Sequence, residues 1–154
     1  MDSLGLETIG IEVDETIPYS LIENYIFDIK GLGANKKLLL LMLRRYCGSA
    51  NKPAFPSYTT LMKAIGVSKR NVISKNLDFF IWLHWLERIN RFDPKTKEKL
   101  NNYYLLSLKN IRLVLDHFEK KDYNFKDIET YFEAEYKDIE TRDLFMSKPC
   151  KYLE

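Results

Sequence analysis

The stretch FPSYTTLMKAIGVSKRNVISKNL, Phe55 to Leu77, decides how the chain is read. Ser57, after Pro56, carries a hydroxyl that can accept from the first unpaired amides of a helix running from Tyr58 to Ile65. Gly66 stops that helix, because the residue just past a helix end commonly turns left-handed, where glycine has no Cβ to clash. Val67 is apolar, and Ser68 is placed to cap a second helix beginning at Lys69. On that helix Ile73, Leu77, Phe80 and either Leu83 or His84 recur at intervals of three and four, which defines the face that packs inward. Two short helices joined by a tight glycine turn make a helix-turn-helix unit.

Off the inward face, and near the start of the second helix, lie Lys69, Arg70, Asn71, Ser74 and Lys75. In units of this kind the N-terminal part of the second helix is the part that meets base edges. The side chains suit that role: Arg and Lys pair with guanine acceptors, Asn with adenine, and Ser with a base or phosphate. Ser68 belongs with them. Tyr58, Thr59 and Thr60 open the preceding helix, where unpaired backbone amides favour an anion, so phosphate is their expected contact.

Downstream, LERINRFDPKTKEKLNNYYLLSL reads as a hairpin. Its β-formers flank a turn with Pro94 at a turn-favoured position, and Lys95, Lys97 and Lys99 crowd the tip. Phosphate contact from such lysines would position a protein on DNA without reading sequence.

Charge supports the same block. Residues 1–29 hold seven acidic side chains and no basic one, residues 30–110 hold sixteen basic and four acidic (net +12), and residues 111–154 hold eight basic and eleven acidic. The total of +2 conceals this concentration. A basic block of this size is a fitting footprint for a polyanion, since phosphate neutralisation releases condensed counterions. A solvated lysine-rich face is the other reading of the same charge.

The remaining segments supply scaffold. Residues 1–18 read as an acidic arm or edge strand. Tyr19 to Lys30 reads as a short amphipathic helix capped by Ser20. Asn35 is expected to cap KKLLLLMLRRYC, a helix apolar almost all round and so a buried spine. The run LDFFIWLHWL places Phe79, Ile81 and Trp82 off the inward face, and an apolar patch of this kind marks an interface. Its cover is the N-terminal helix, the C-terminal tail or a second copy of the chain, with a homodimer preferred. NIRLVLDHFEKK forms one further helix. Phe125, Ile128, Phe132, Tyr136 and Ile139 fall on a helical stripe whose expected role is packing, with acidic residues around it.

Catalysis finds little footing. His84 and His117 lack ligand spacing to a cysteine or carboxylate. GLGAN has no lysine–threonine sequel and no preceding strand, so it is not a phosphate loop. Cys47 and Cys150 are too few for a disulfide framework and are read as reduced thiols. No metal, cofactor or catalytic residue is expected, and the longest apolar run, Leu38 to Leu43, is too short to span a bilayer, which points to a cytoplasmic protein.

KLLLLMLRRYC, FPS, IGVSKRNV, LERI and NNYYL together resemble the winged-helix domain of replication initiators from plasmids and phages of Gram-positive bacteria, including DnaD-like primosome proteins. The resemblance covers Gly33 to Leu108. It implies a mainly α fold with a small β-hairpin, binding of double-stranded DNA, often by a dimer, and no catalytic residues. His84 stands where that family commonly has glycine, which a longer helix or a left-handed His accommodates. The chain therefore divides into an acidic arm (1–18), a winged-helix DNA-binding domain (19–108) and a helical C-terminal extension (109–154). Expected partners are double-stranded DNA, a second copy of the chain and replication or regulatory proteins. A protein-interaction module on the same scaffold, without direct DNA contact and using Phe79, Ile81 and Trp82 together with the aromatic acidic tail, is the alternative.

Overall fold

In a computed structural model that describes residues 22–47, 56–137 and 139–154, with the side chains at 139 and 140 outside the description, the chain runs through seven helices and one hairpin. These are α1 (Asn24–Phe27), α2 (Ala34–Cys47), α3 (Tyr58–Ile65), α4 (Arg70–Trp82), β1 (Leu86–Phe92), β2 (Lys99–Leu106), α5 (Leu108–Lys121), α6 (Phe125–Glu135) and α7 (Ile139–Met146), followed by a short 3-10 turn at Lys151–Leu153. The acidic arm, the Ser20 cap and most of the SANKPAFP connector lie outside the described residues.

Helix α3 begins and ends as its sequence dictates. Ser57 Oγ accepts from the Thr60 N–H at 3.1 Å, and Gly66 closes the helix at φ 77°, with the N–H groups of Gly66 and Val67 both donating to Met62 O. Helix α4 starts one residue later than expected. Lys69 is its N-cap, no side chain caps it, and Ser68 stands outside the helix, exposed. Helix α2 starts earlier, at Ala34, so Asn35 sits in its first turn rather than capping it. Of the helix expected over Tyr19 to Lys30, residues 19–21 lie outside the described residues, and the described part holds only the single turn of α1. Glu23 just before it is extended and grips Arg44 of α2 through both carboxylate oxygens at 2.7–3.0 Å, which fixes the chain direction there.

Leu83, not His84, completes the inward face of α4 with Ile73, Leu77 and Phe80, all four fully buried. His84 turns left-handed at φ 62° and is exposed. Its N–H donates to Ile81 O, and the following Trp85 N–H donates to Phe80 O at 2.9 Å. Two such bonds with an apolar contact between the outer residues satisfy the last carbonyls of a helix. Here the contact is a stack of Trp85 on Phe80, with ring centroids 5.9 Å apart.

The hairpin pairs Leu86 with Leu106 and Ile89 with Tyr103, shifts register between Ile89 and Arg91, and pairs Arg91 with Leu100 beyond the bulge. With the helix-turn-helix ahead of it, this two-stranded sheet completes a winged helix.

One apolar cluster runs through the described residues, from Ile26, Leu39 and Leu43 through Leu61, Ile73 and Leu77 to Ile111, Phe118, Ile128 and Phe132. The C-terminal helices thus share the core of the winged helix. Of the three covers expected for Phe79, Ile81 and Trp82, the C-terminal tail is the one found, in place of the preferred second copy. Phe79 meets Phe132 edge-on at 5.1 Å, and Trp82 is enclosed by Tyr131, Phe132, Phe145 and Tyr152, leaving Phe79 and Trp82 buried and Ile81 half-buried. The chain covers its own patch, because the aromatic stripe of α6 supplies the apolar area that a partner would otherwise bring. Phe125, Ile128 and Phe132 of that stripe are buried and Tyr136 is half-buried; the helix breaks after Glu135, and the Ile139 side chain falls outside the description. Both cysteines are buried free thiols. Among the described residues no helix is long and apolar enough to cross a membrane.

Candidate nucleic-acid interface

The glycine turn brings the starts of α3 and α4 side by side. Arg70, the first residue of α4, lies over the ring of Tyr58, the first residue of α3, with its guanidinium carbon 4.6 Å from the ring centroid. Ser68, Lys69, Arg70 and Asn71 are all exposed, whereas Ile73 and Asn76 to Phe80 behind them are buried. The helix therefore presents its N-terminal end to solvent and is held by the rest. Thr59 and Thr60 are exposed beside them, with the Thr60 hydroxyl 2.9 Å from Ser57 Oγ in the cap. The first amides of α3 and α4 have no carbonyl within their helices to accept from them, which makes both ends suited to an anion.

Ser74 and Lys75 are placed differently. Ser74 is half-buried. Lys75 is ion-paired with Glu133 of α6, and its ammonium lies 5.9 Å from the centre of the Tyr136 ring. Glu133 also reaches Lys36 of α2 at 3.7 Å, as does Glu129. Of the six residues assigned to the recognition surface, Lys75 alone is drawn toward the C-terminal helices in this way.

In the wing, Lys95, Lys97 and Lys99 are exposed at the hairpin end. The turn that carries them is ordered by Asp93, whose Oδ1 accepts from the backbone N–H groups of Lys95 at 2.8 Å and Thr96 at 3.1 Å, while Lys97 takes a left-handed φ of 62°. Those amides, Thr96 first, hold the Asp93 carboxyl below its ordinary pKa. Arg91 stacks on Tyr103 across the strands at 4.5 Å. At the base of the wing, Tyr104 of β2 interacts with Tyr58 of α3, and burial pushes its phenol up to about 12.

A second arrangement, unforeseen from the sequence, fixes the wing to α4. Asp78 is completely buried. It accepts from Tyr136 Oη at 2.6 Å and from Arg142 Nε and Nη2 at 2.7 and 3.2 Å, and Arg88 of β1 lies 3.3 Å away. Burial, and then the bond to Asp78, raise the Tyr136 phenol. A buried carboxylate is tolerated only with such partners. One visible signal existed: Asp78 is the sole acidic residue between positions 30 and 86, and it sits within an apolar run.

Residues 30–76 match the model of a family described as a helix-turn-helix domain. The match spans α2, α3 and the first half of α4, where Ser68 to Asn71 are exposed. No curated protein matches the chain, and no solved structure does.

Proposed function

We propose that this chain binds double-stranded DNA, with the start of α4 in the major groove, the first turn of α3 on phosphate and the wing lysines on the adjacent backbone or minor groove. The observation that carries this reading is the run Ser68 to Asn71, four consecutive polar residues exposed at and just before the start of a helix that is buried from Asn76 to Phe80. The helix-turn-helix match over residues 30–76 supports it. The protein acts by binding rather than catalysis, in sequence- or structure-specific recognition that serves replication initiation or transcription regulation of a plasmid or phage. The likeness of its motifs to those of plasmid and phage initiators supports that setting and a dimeric DNA-bound form. A role as a protein-interaction adaptor is the second reading, and the burial of Phe79 and Trp82 favours DNA binding over it.

The test is fluorescence anisotropy with a random duplex across a salt series, using wild type and the Lys69→Glu/Arg70→Glu double variant. Affinity is expected to fall steeply with salt, because each neutralised phosphate releases condensed counterion. The double variant is expected to lose binding. Wild type that fails to bind even at low salt would end the proposal.

A further inference from the structure

The Lys75–Glu133 pair poses a question that the DNA-binding reading leaves open. Lys75 lies one turn beyond Asn71 on α4, and residues four apart on a helix share a side. It therefore lies on the same side as Asn71, half-exposed, yet its charge is met by a carboxylate of the same chain.

The surroundings separate Glu133 from its neighbour. Glu129 is held twice, by Lys36 at 3.7 Å and by the Gly33 N–H at 2.9 Å, and its side chain is 17% exposed. Glu133 is 43% exposed and its partner Lys75 is 32% exposed. Lys36 is almost enclosed, with both carboxylates nearby and its ammonium 5.1 Å from the Phe79 ring centre. Lys36 thus keeps a counter-charge if Glu133 turns away. Glu129 has the role of a structural tie, and Glu133 that of a surface carboxylate within reach of a recognition-helix lysine.

Ion pairs at such exposure are weak, because water screens them and ordering two long side chains costs entropy. A DNA phosphate at the same lysine brings counterion release, which the internal carboxylate cannot offer. We infer that Glu133 is a built-in competitor of DNA phosphate for Lys75, so that the acidic C-terminal helix sets the affinity of the DNA face. The inference rests on the DNA-binding reading above and adds to it an affinity-determining residue outside the helix-turn-helix.

The experiment is the same salt-series anisotropy with a random duplex on the full chain, comparing wild type with Glu133→Gln, Glu133→Ala, Lys75→Gln and the Glu133→Gln/Lys75→Gln double variant. Glu135→Gln, an exposed acidic neighbour on the same helix, controls for general charge, and circular dichroism checks folding. Glu133→Gln and Glu133→Ala are expected to tighten binding about fivefold at low salt and to steepen the dependence of log affinity on log salt by about one. The gain should vanish when Lys75 is also replaced, and Glu135→Gln should give little of it. If the Glu133 variants bind with wild-type affinity and slope while Lys69→Glu/Arg70→Glu abolishes binding, this inference fails and the DNA-binding reading stands. An equal gain from Glu135→Gln also overturns it, by showing a general field effect. Absence of binding by wild type and by every Glu133 variant defeats both.

Discussion

The guanidinium of Arg70 rests on the ring of Tyr58, 4.6 Å from its centroid, so the first residues of the two helices of the motif are joined through a cation and an aromatic face. The ring holds the arginine in place before any ligand arrives. Tyr58→Ala is expected to weaken DNA binding about two- to fivefold, the equivalent of an exposed cation–π contact of about 0.5–1 kcal/mol. Tyr58→Phe keeps the ring and should bind nearly as wild type. Anisotropy on the two variants decides, and equal losses would show that the hydroxyl matters instead.

His84 occupies a left-handed position at the end of α4 that a glycine adopts without strain. The bond that Asn110 makes there goes to the His84 backbone carbonyl, at 2.8 Å, and survives any side-chain change. His84→Gly should therefore stabilise the protein by about 0.5–1 kcal/mol, measured by urea unfolding. A loss of stability would mean that the exposed imidazole makes an energetically useful contact.

Gly66 gives the opposite sign. A Cβ added there meets nothing within 4 Å, so only the backbone angle of 77° resists substitution. Gly66→Ala is expected to cost about 1 kcal/mol in the same unfolding measurement, without altering the packing of α3.

Asp78 joins α4, β1 and the C-terminal helices through Arg88, Tyr136 and Arg142. Asp78→Asn leaves two arginines facing a neutral group. Both arginines retain some solvent exposure, so the expected loss lies near the low end of that for a broken buried pair, about 3 kcal/mol. Chemical denaturation tests this, and a change under about 0.5 kcal/mol would rule out a structural role for the network.

The wing turn should respond to acid. Asp93 has a depressed carboxyl because its ionised form accepts from the amides of Thr96 and Lys95. A carboxylate depressed in the folded state contributes stability above its unfolded pKa, and that contribution is lost as pH falls through the lower folded value. Amide chemical shifts of Lys95 and Thr96, followed on acidification, should titrate with a midpoint below the ordinary aspartate range. A midpoint at the ordinary value would mean that the turn is not held by this side chain.

Much of the helix-turn-helix and the wing was legible because local rules governed them. Ser57 and Gly66 fixed α3 from both ends, the three-and-four spacing placed Ile73, Leu77 and Phe80 inward, and the turn residues announced the wing. The start of α4 shifted by one residue because no side chain caps it, and Lys69 simply precedes the first helical turn. What periodicity could not supply was long-range pairing. Phe79 and Trp82 looked available on α4 because their cover, Phe132, Tyr131 and Phe145, lies some fifty to sixty residues further on. The same distance in sequence hid Lys75 from Glu133 and Asp78 from Arg142, since a helix-wheel argument sees only one helix at a time.

The buried carboxylate of Asp78 and the aromatic lid over Trp82 also set the smallest piece of this protein that can stand alone. Cutting after Leu108 would uncover Phe79 and Trp82 to water and leave Asp78 without two of its three partners. The helix-turn-helix is therefore not a portable module, and a shortened chain should be insoluble or partly unfolded where the full chain is not. Grafting this motif into another protein would require carrying α6 and α7 with it.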